Sequence, residues 1–174
     1  MPAKPLVAIL MGSDSDLPTM GEVARVLEEY AIPYEARVLS AHRSPDAASL
    51  FAREAESRGL EILVAGAGGS AHLAGVLAAH TVLPVIGVPL EGSPLKGVDA
   101  LLSTVQMPPG IPVATVGVGA MGAKNAGHLA AALLAMKDPD LRRRLHDRRA
   151  KMAAEVLAKS ETLGGRLREM LDKK

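Results

Sequence analysis

The sequence predicts an α/β fold, a three-layer sandwich in which helices cover both faces of a parallel β-sheet. Two patterns support this prediction. Five short runs rich in apolar and β-branched residues recur along the chain, and most are separated by segments with apolar residues at helical spacing. The first run, residues 6–11, is almost continuously apolar, which is typical of a parallel strand buried on both faces. Such alternation favours right-handed crossovers between parallel strands.

The predicted strands are short, and polar or turn-forming residues bound each of them. They comprise residues 6–11, 34–39, 61–65, 84–88 and 112–116. Among doubly wound sheets, a flavodoxin-like strand order is the best match, although the sequence alone does not fix the order.

The predicted helices alternate with these strands and end in a long charged helix followed by a polar tail. They comprise residues 17–30, 45–58, 71–80, 98–106, 123–136 and 141–159. We expect Ser44 to cap the second helix, because Pro45 then occupies the first turn, where its missing N–H costs nothing. Gly59 suits the end of the same helix.

No internal repeat or linker interrupts the chain, so we expect a single α/β domain over residues 1–174. Its core spans about residues 5–136, and a C-terminal helical arm and tail occupy about residues 138–174. A chain of this length is sufficient to bury a substantial core.

Composition excludes several classes of function. The 20 basic and 19 acidic residues give a net charge of +1, which provides no general attraction to nucleic acid or anionic membranes. Cysteine and tryptophan are absent, so disulfides, thiolate chemistry and an aromatic base-stacking surface are not expected. No apolar run approaches the roughly 20 residues that span a bilayer, and the N-terminus lacks a signal-like segment. We therefore expect a cytoplasmic protein that binds neither nucleic acid nor membrane.

Polar or glycine-rich segments follow the first four predicted strands, at residues 12–16, 40–44, 66–72 and 89–93. The carboxyl ends of parallel strands meet at one edge of a sheet, where folds of this kind bind ligands. The segments at the opposite ends of the strands carry few polar side chains. The sequence therefore predicts one functional edge.

The first of these segments contains Ser13, Ser15 and Asp16. Hydroxyl groups and the N–H groups that open a helix bind anions, and a carboxylate accepts hydrogen bonds from sugar hydroxyls. The alternative interpretation is that Asp14 or Asp16 only caps the following helix. Both interpretations fit the residues.

The second and third segments add a histidine each. His42 and Arg43 lie side by side after a strand; arginine forms paired hydrogen bonds to phosphate, and histidine titrates near neutral pH. Residues 66–72 contain three glycines, which allow close approach of the backbone to a ligand, although tight packing of strand against helix is the alternative. His72 is either a second ligand contact or a structural residue.

Two glycine patterns resemble a dinucleotide-binding fingerprint. Residues 117–122 match G-x-G-x-x-G, but no strand follows to carry the acidic residue that would hold a ribose. Residues 66–71 match the G-x-G-x-x-A variant, and Glu91 lies near the required offset. A nicotinamide-dependent oxidoreductase therefore stays a minor alternative.

Two further features predict no function of their own. The basic segment 137–151 is interleaved with acidic residues and lacks aromatic side chains, which favours a solvated or subunit-facing helix over a nucleic-acid patch. No metal site is expected, because no ligand spacing to Asp or Glu is present at His80, His128 or His146.

Taken in order, these segments resemble the N5-carboxyaminoimidazole ribonucleotide mutase family over roughly residues 5–158. The matching motifs are MGSDSD at 11–16, SAHRSPD at 40–46, AGAGGSAHL at 65–73, PVIGVP at 84–89, VQMP at 105–108 and NA at 125–126. A sister class carboxylates aminoimidazole ribonucleotide directly with CO2 and typically has Lys where this chain has Arg43, so the resemblance favours the mutase class. Ser44, Ser70 and Ala74 stand where Thr, Ala and Pro are more usual, and no charged position changes.

The resemblance implies a ribonucleotide monophosphate substrate whose imidazole amine carries a carbamate, and a product with that CO2 unit on ring carbon 4. It implies no ATP, metal or organic cofactor, and a homo-octamer. Proton transfer falls to His42, and substrate binding to Ser13, Asp16, Ser40, Ala41, Arg43, Gly68, Gly69, Ser70, Ala71 and His72. A direct aminoimidazole ribonucleotide carboxylase and a non-catalytic nucleotide-binding module are the alternatives.

Overall fold

The computed structural model describes residues 4–172 and confirms the predicted α/β fold. Five parallel strands form one sheet in the order β2-β1-β3-β4-β5, which is the flavodoxin-like order. The strands are β1 (Val7–Met11), β2 (Tyr34–Val38), β3 (Ile62–Gly68), β4 (Val85–Leu90) and β5 (Ala114–Thr115). Because β1 lies between β2 and β3, the carboxyl ends of these three strands are neighbours.

Helices cover both faces of the sheet and complete the three layers. These are α1 (Leu17–Glu29), α2 (Pro45–Glu54), α3 (Leu73–Ala78), α4 (Val98–Val105) and α5 (Gly119–Leu134); a sixth helix, α6 (Pro139–Asp172), follows them in the chain. Helices α1 and α5 pack together on one face. Helices α2 and α3 cover the other face, where Thr104 of α4 also reaches Gly87 of β4 beside Ala74.

The core on the α2 and α3 side shows why the strands are so apolar. Every residue of β1 is buried, and Ala8 and Leu10 of that strand join a cluster with Phe51 of α2 and Leu77 of α3. Burial of a large apolar side chain stabilises a fold by roughly 1.5–3 kcal/mol. A strand buried on both faces has no position for a polar side chain, which explains its continuous apolar run.

The structure departs from two local expectations, although Ser44 does occupy the N-cap position of α2. Strand β5 has only the residues Ala114–Thr115, rather than 112–116. Pro112 has no N–H to donate to the sheet, so pairing begins after it. The Ser44 side chain makes no capping bond to α2; its hydroxyl donates to the Ser40 carbonyl at 3.2 Å and accepts from the Ser40 N–H at 3.0 Å. It therefore closes the turn that carries His42.

Helix α2 is also shorter than the predicted span of 45–58, because it ends at Glu54. Turns follow it, and Gly59 closes them with a φ of +86°. A left-handed backbone of this kind strains any residue with a Cβ, so glycine suits the position.

The expected polar tail after residue 159 is instead helical, because α6 continues without a break to Asp172. The segment 160–172 contains no proline, and Gly164 and Gly165 cost about 1 kcal/mol each in a helix, which its many strong helix formers offset. Neither α6 nor another helix among the described residues is apolar over enough turns to cross a membrane.

Contacts divide the chain into two compact units, Met1–Leu134 and Ala135–Lys174. The first contains the sheet and α1 to α5, and the second contains α6. Within the second unit, Asp138 caps α6 by accepting a hydrogen bond from the Leu141 N–H at 2.9 Å. Arg142 of the basic segment donates to the carbonyls of Ala135 and Met136 at 2.9 and 2.8 Å, so part of that segment has a structural role. The prediction of a single domain stays a prediction.

The glycine pattern at residues 117–122 has a packing role at its last residue. A Cβ at Gly122 would overlap the carbonyl oxygen of Gly117, because the first turn of α5 folds closely against the segment before it. We expect Gly122→Ala to lower the free energy of unfolding by about 3 kcal/mol, the upper part of the range for overpacking. Urea denaturation followed by circular dichroism measures this change.

Gly21→Ala is the matched control for this substitution. Gly21 lies inside α1, and nothing lies within 4 Å of a Cβ built there. Its replacement should raise the free energy of unfolding by about 0.5–1 kcal/mol, because alanine favours the helix. Equal effects of the two substitutions would contradict the steric explanation.

Candidate active site

The carboxyl ends of β1, β2, β3 and β4 surround a cavity of about 380 Å³. This volume lies within the range of small-molecule sites. Most of the polar groups of the first three predicted segments line it. The lining residues are Gly12, Ser13, Ser15, Asp16, Ser40, Ala41, His42, Arg43, Ala67, Gly68, Ser70, His72, Leu73 and Gly92.

A short 3-10 turn, Asp14–Asp16, leads from β1 into α1 and holds the first group of cavity residues. The Ser13 hydroxyl accepts a hydrogen bond from the Ser15 N–H at 3.3 Å, and the Asp16 carboxylate accepts one from the Ser13 N–H at 3.1 Å. These two bonds form a capping box. Asp16 thus caps the turn and lines the cavity, so the two interpretations of its role are compatible.

Burial raises the pKa of the Asp16 carboxyl above its ordinary value. The hydrogen bond from the Ser13 N–H and the positive charge of Arg43 lower this pKa, and the charge of Asp14 raises it, but desolvation is the largest effect. The ionised carboxylate is therefore held where it is incompletely solvated. A ligand that donates hydrogen bonds to the Asp16 carboxylate would replace the solvation that burial removes and would stabilise the ionised form.

The turn after β2 fixes Arg43 against the end of β1. Its backbone N–H donates to the Ser40 hydroxyl at 3.1 Å, and its Nη2 donates to the Gly12 carbonyl at 2.8 Å. Arginine has five N–H donors, and the bond to the Gly12 carbonyl uses only one of them. Ser13 and Ser40 lie on the same cavity wall. Arg43 therefore combines a fixed position with capacity to bind an anion.

The two predicted histidines meet in this cavity. Nε2 of His42 lies 2.8 Å from Nδ1 of His72, and the rings stand nearly perpendicular, at 87°. Both side chains are exposed in the single chain. They come from segments after β2 and β3, which are not adjacent strands, so their contact could not be inferred from sequence spacing.

The glycines of residues 66–72 have different roles. A Cβ at Gly66 would overlap the sulfur of Met20 in α1, so this glycine serves packing. Gly68 approaches the backbone of Gly92, where a Cβ would lie 3.4 Å from the nitrogen. Gly69 has a φ of +61° and open space around its Cβ position. The packing interpretation therefore applies to Gly66, and close approach of a ligand to Gly68 and Gly69 stays a prediction.

The structure brings every predicted site residue to the cavity wall except Gly69 and Ala71. Gly69 forms the adjacent bend, and Ala71 is buried beneath it. Sequence reasoning did not select Gly12, Ala67, Leu73 and Gly92, although all belong to or adjoin the quoted segments. Their small or apolar side chains give no chemical signal; only the neighbouring strand ends reveal them.

Comparison with two other cavities supports the assignment of the site. One of about 320 Å³ adjoins the cavity and shares Gly12, Ser13, Ser40 and Arg43 with it. A larger one, about 1010 Å³, lies at the amino ends of β4 and β5 and is lined mainly by apolar side chains. We assign the site to the cavity of about 380 Å³, because titratable and hydrogen-bonding groups from three strand ends converge on it, whereas the larger hollow is mainly apolar.

Within residues 4–172, no cluster of three His, Asp or Glu side chains is arranged to hold a metal ion. The histidines outside the cavity are dispersed: His128 bonds the Tyr30 hydroxyl at 3.2 Å, and His80 lines the large apolar hollow.

A parallel α/β fold with a polar cavity at its carboxyl edge is typical of proteins that bind small molecules, and sequence comparison identifies the family. The model of the AIR carboxylase family matches residues 6–155. The chain therefore belongs to the AIR carboxylase family.

Relatives within that family are similar along nearly the whole chain. Proteins named N5-carboxyaminoimidazole ribonucleotide mutase from Pyrococcus horikoshii and Bacillus subtilis are 53% and 51% identical to it over 160 residues each. These matches cover 92% of this chain in both cases, and 89% and 99% of the two relatives. The crystal structure of Treponema denticola PurE superposes with a TM-score of 0.83 at 28% identity, covering 91% of this chain and 98% of that one.

The raised pKa of Asp16 leads to a testable dependence of stability on pH. A carboxyl whose pKa is higher in the folded state favours folding when protonated, and this contribution is lost as the pH rises through the folded pKa. Asp16→Asn keeps a capping acceptor without the charge. We expect the variant to have the higher melting temperature at pH 7, and the difference to disappear in acid.

Thermal unfolding of both proteins between pH 3 and pH 8 measures this difference. Asp14→Asn serves as the control, because the Asp14 carboxyl is exposed and its charge is the smallest of the effects on the Asp16 pKa. A melting temperature for Asp16→Asn that stays below wild type at every pH would show that burial of the charge is not the dominant effect.

Proposed function

We propose that this protein is an N5-carboxyaminoimidazole ribonucleotide mutase, which moves CO2 from the exocyclic nitrogen of the imidazole to ring carbon 4 in purine biosynthesis. The observation that carries the proposal is the shared cavity of His42, Arg43 and Asp16 in a chain more than half identical to proteins of that name. A proton-transfer residue, an anion-binding residue and a carboxylate then face one cavity, whose volume of about 380 Å³ suits a small-molecule ligand.

The nucleotide part of the substrate fits the wall formed by the ends of β1 and β2. Arg43 binds the phosphate together with the hydroxyls of Ser13 and Ser40, since guanidinium and hydroxyl donors suit phosphate oxygens. Asp16 accepts hydrogen bonds from the ribose hydroxyls, which stabilises its ionised form in a partly buried position.

The imidazole and its CO2 unit fit the opposite wall. Here the loop of residues 68–72 presents the backbone of Gly68 and the side chains of Ser70 and His72, with Gly69 in the adjacent bend and Ala71 buried beneath it, and Ala41 completes the surface beside His42. Small residues leave room for a flat heterocycle, and exposed N–H groups of a glycine-rich loop favour a carboxylate. Contact of the heterocycle and its carboxylate with this wall orients the imidazole ring of the substrate toward His42.

His42, which lines the cavity, carries the proton through both halves of the proposed reaction. As imidazolium it gives a proton to the exocyclic nitrogen as the N–C bond breaks, and the bond electrons stay on that nitrogen. The released CO2 accepts an electron pair from carbon 4, and a C–C bond forms. His42 then takes the proton of carbon 4 and returns to its starting form, so the protons balance without a co-reactant.

Free CO2 escapes from an open site, so this chemistry needs a cover over the cavity. His42, Arg43 and His72 are all exposed in the single chain. Neighbouring copies supply a cover if the chain assembles, and we propose the homo-octamer that the resemblance implies. We place its activity in the cytoplasm, the compartment expected from the same resemblance.

His42→Asn tests the catalytic assignment. We expect conversion of the carbamate nucleotide, followed by ultraviolet absorbance without ATP or added bicarbonate, to fall by at least about 100-fold, since general acid–base catalysis contributes that much or more. Binding of the carboxylated product should change little, because Arg43 and Asp16 remain. Calorimetric titration measures the binding.

His80→Asn is the matched control, because His80 is exposed and lies away from the cavity. It should convert substrate at the wild-type rate. Turnover by His42→Asn near the wild-type rate would remove His42 from the mechanism. Conversion of aminoimidazole ribonucleotide with bicarbonate, and not of the carbamate, would instead assign the sister reaction.

The assembly is tested by light scattering. We expect a mass near eight times the 18.1 kDa of one chain. Val156 and Leu163 are exposed on α6 and lie close to one face of the helix, whereas Ala158 lies on the opposite face. Val156→Glu combined with Leu163→Glu should lower the mass if α6 pairs with a neighbour, and Ala158→Glu should not. A monomeric wild-type chain would contradict the assembly.

A further inference from the structure

The bond between the two histidines assigns an atom to the proton transfer. We propose that His72 is a positioning residue: it accepts a hydrogen bond from Nε2–H of His42 throughout the reaction, so that Nδ1 of His42 is the atom that gives and takes the proton. This inference rests on the proposed function for its substrate, but the bond itself is a property of the free protein.

The geometry limits the pair to one bridging proton. Nε2 of His42 and Nδ1 of His72 are 2.8 Å apart, which is a hydrogen-bond distance between two nitrogens. One nitrogen must donate and the other accept, since two lone pairs or two N–H groups facing each other repel. Each histidine has a second ring nitrogen, Nδ1 in His42 and Nε2 in His72. Neither of these two atoms makes a hydrogen bond within residues 4–172.

The proposed reaction selects one of the two arrangements. As imidazolium, His42 carries protons on both nitrogens, so Nε2–H can only donate to a bare Nδ1 of His72. Loss of the Nδ1 proton to the substrate leaves Nε2–H in place, and the same bond then holds the neutral ring with Nδ1 unprotonated. That form is the base needed for the proton on carbon 4. The bond made by one ring nitrogen thus sets the role of the other.

The backbone around each ring holds this contact in place. The His72 N–H donates to the Ser70 carbonyl at 2.8 Å, and buried Leu73 and Ala74 follow it at the start of α3. On the other side, the Ser44 N–H donates to the Ser40 carbonyl at 3.0 Å and closes the turn around His42. The backbone at both histidines is therefore held by bonds within the protein, and the hydrogen bond between the rings adds to it at 2.8 Å.

Two substitutions at His72 separate positioning from other roles. His72→Asn places an amide oxygen near the position of Nδ1, where it accepts the same bond but exchanges no proton. His72→Leu removes the acceptor. We expect His72→Leu to lower kcat by about 10- to 100-fold, as when an outer hydrogen-bond partner of a working histidine is removed, with little change in KM. His72→Asn should stay within about threefold of wild type, because the acceptor that fixes the tautomer remains.

Nitrogen NMR of the protein labelled with 15N-histidine reads the tautomer directly. In wild type and His72→Asn at a pH where His42 is neutral, Nε2 should be protonated and Nδ1 unprotonated, and a scalar coupling across the bond should join His42 to His72 in wild type. In His72→Leu both tautomers of His42 should appear. The His80→Asn and His42→Asn proteins assign the signals.

Three results would overturn the inference. They are wild-type kcat in His72→Leu, an increase in KM with unchanged kcat in both variants, which would make His72 only a substrate ligand, and an unprotonated Nε2 on neutral His42. A wild-type protein that does not convert the carbamate nucleotide would contradict the proposed function instead, and the NMR measurement would still decide which nitrogen of His42 holds the proton.

Discussion

The hydrogen bond from the Arg43 guanidinium to the Gly12 carbonyl joins the ends of β2 and β1, and the rest of the site depends on this junction. It sets Arg43 beside Ser13 and Asp16, which the capping box holds at the start of α1. The turn that carries Arg43 also carries His42, and His42 meets His72 from the end of β3. Three strand ends are thus connected by side chains at the edge where the cavity lies.

Several residues at this edge combine a structural and a proposed chemical role. Asp16 closes the capping box, yet its burial raises its pKa and costs stability while it is ionised. His42 and His72 hold each other while one nitrogen of each stays available. Such sharing is economical in a chain of 174 residues, but it also means that a substitution at the site alters folding and binding together. Measurements that separate the two are therefore necessary.

The glycine-rich segments illustrate how one residue type serves different physical needs. Gly66 and Gly122 lie where a Cβ would overlap Met20 and Gly117 respectively, and neither of them lines the cavity. Gly69 instead adopts a left-handed backbone beside the cavity. A fingerprint such as G-x-G-x-x-G cannot distinguish these cases, because it records the absence of a side chain and not what occupies the space.

The sequence by itself determined the fold class and most of the cavity, and it favoured the strand order without fixing it. Buried parallel strands need continuous apolar runs, and polar segments after such strands must meet at one edge, so Ser13, His42, Arg43 and His72 were predictable from local patterns. The resemblance to the N5-carboxyaminoimidazole ribonucleotide mutase family rests on the same motifs, and the matched family model and relatives confirm it.

Only the tertiary structure decided the contacts between those segments. The bond between His42 and His72, the inclusion of Gly12 and Gly92, and the redirected Ser44 hydroxyl all involve groups brought together by sheet order or turn geometry. Polar composition predicts a tail after residue 159, whereas α6 continues to Asp172 because most residues there are strong helix formers. The residue pattern of a segment indicates its preferred secondary structure, whereas contacts between distant segments form only when the chain folds.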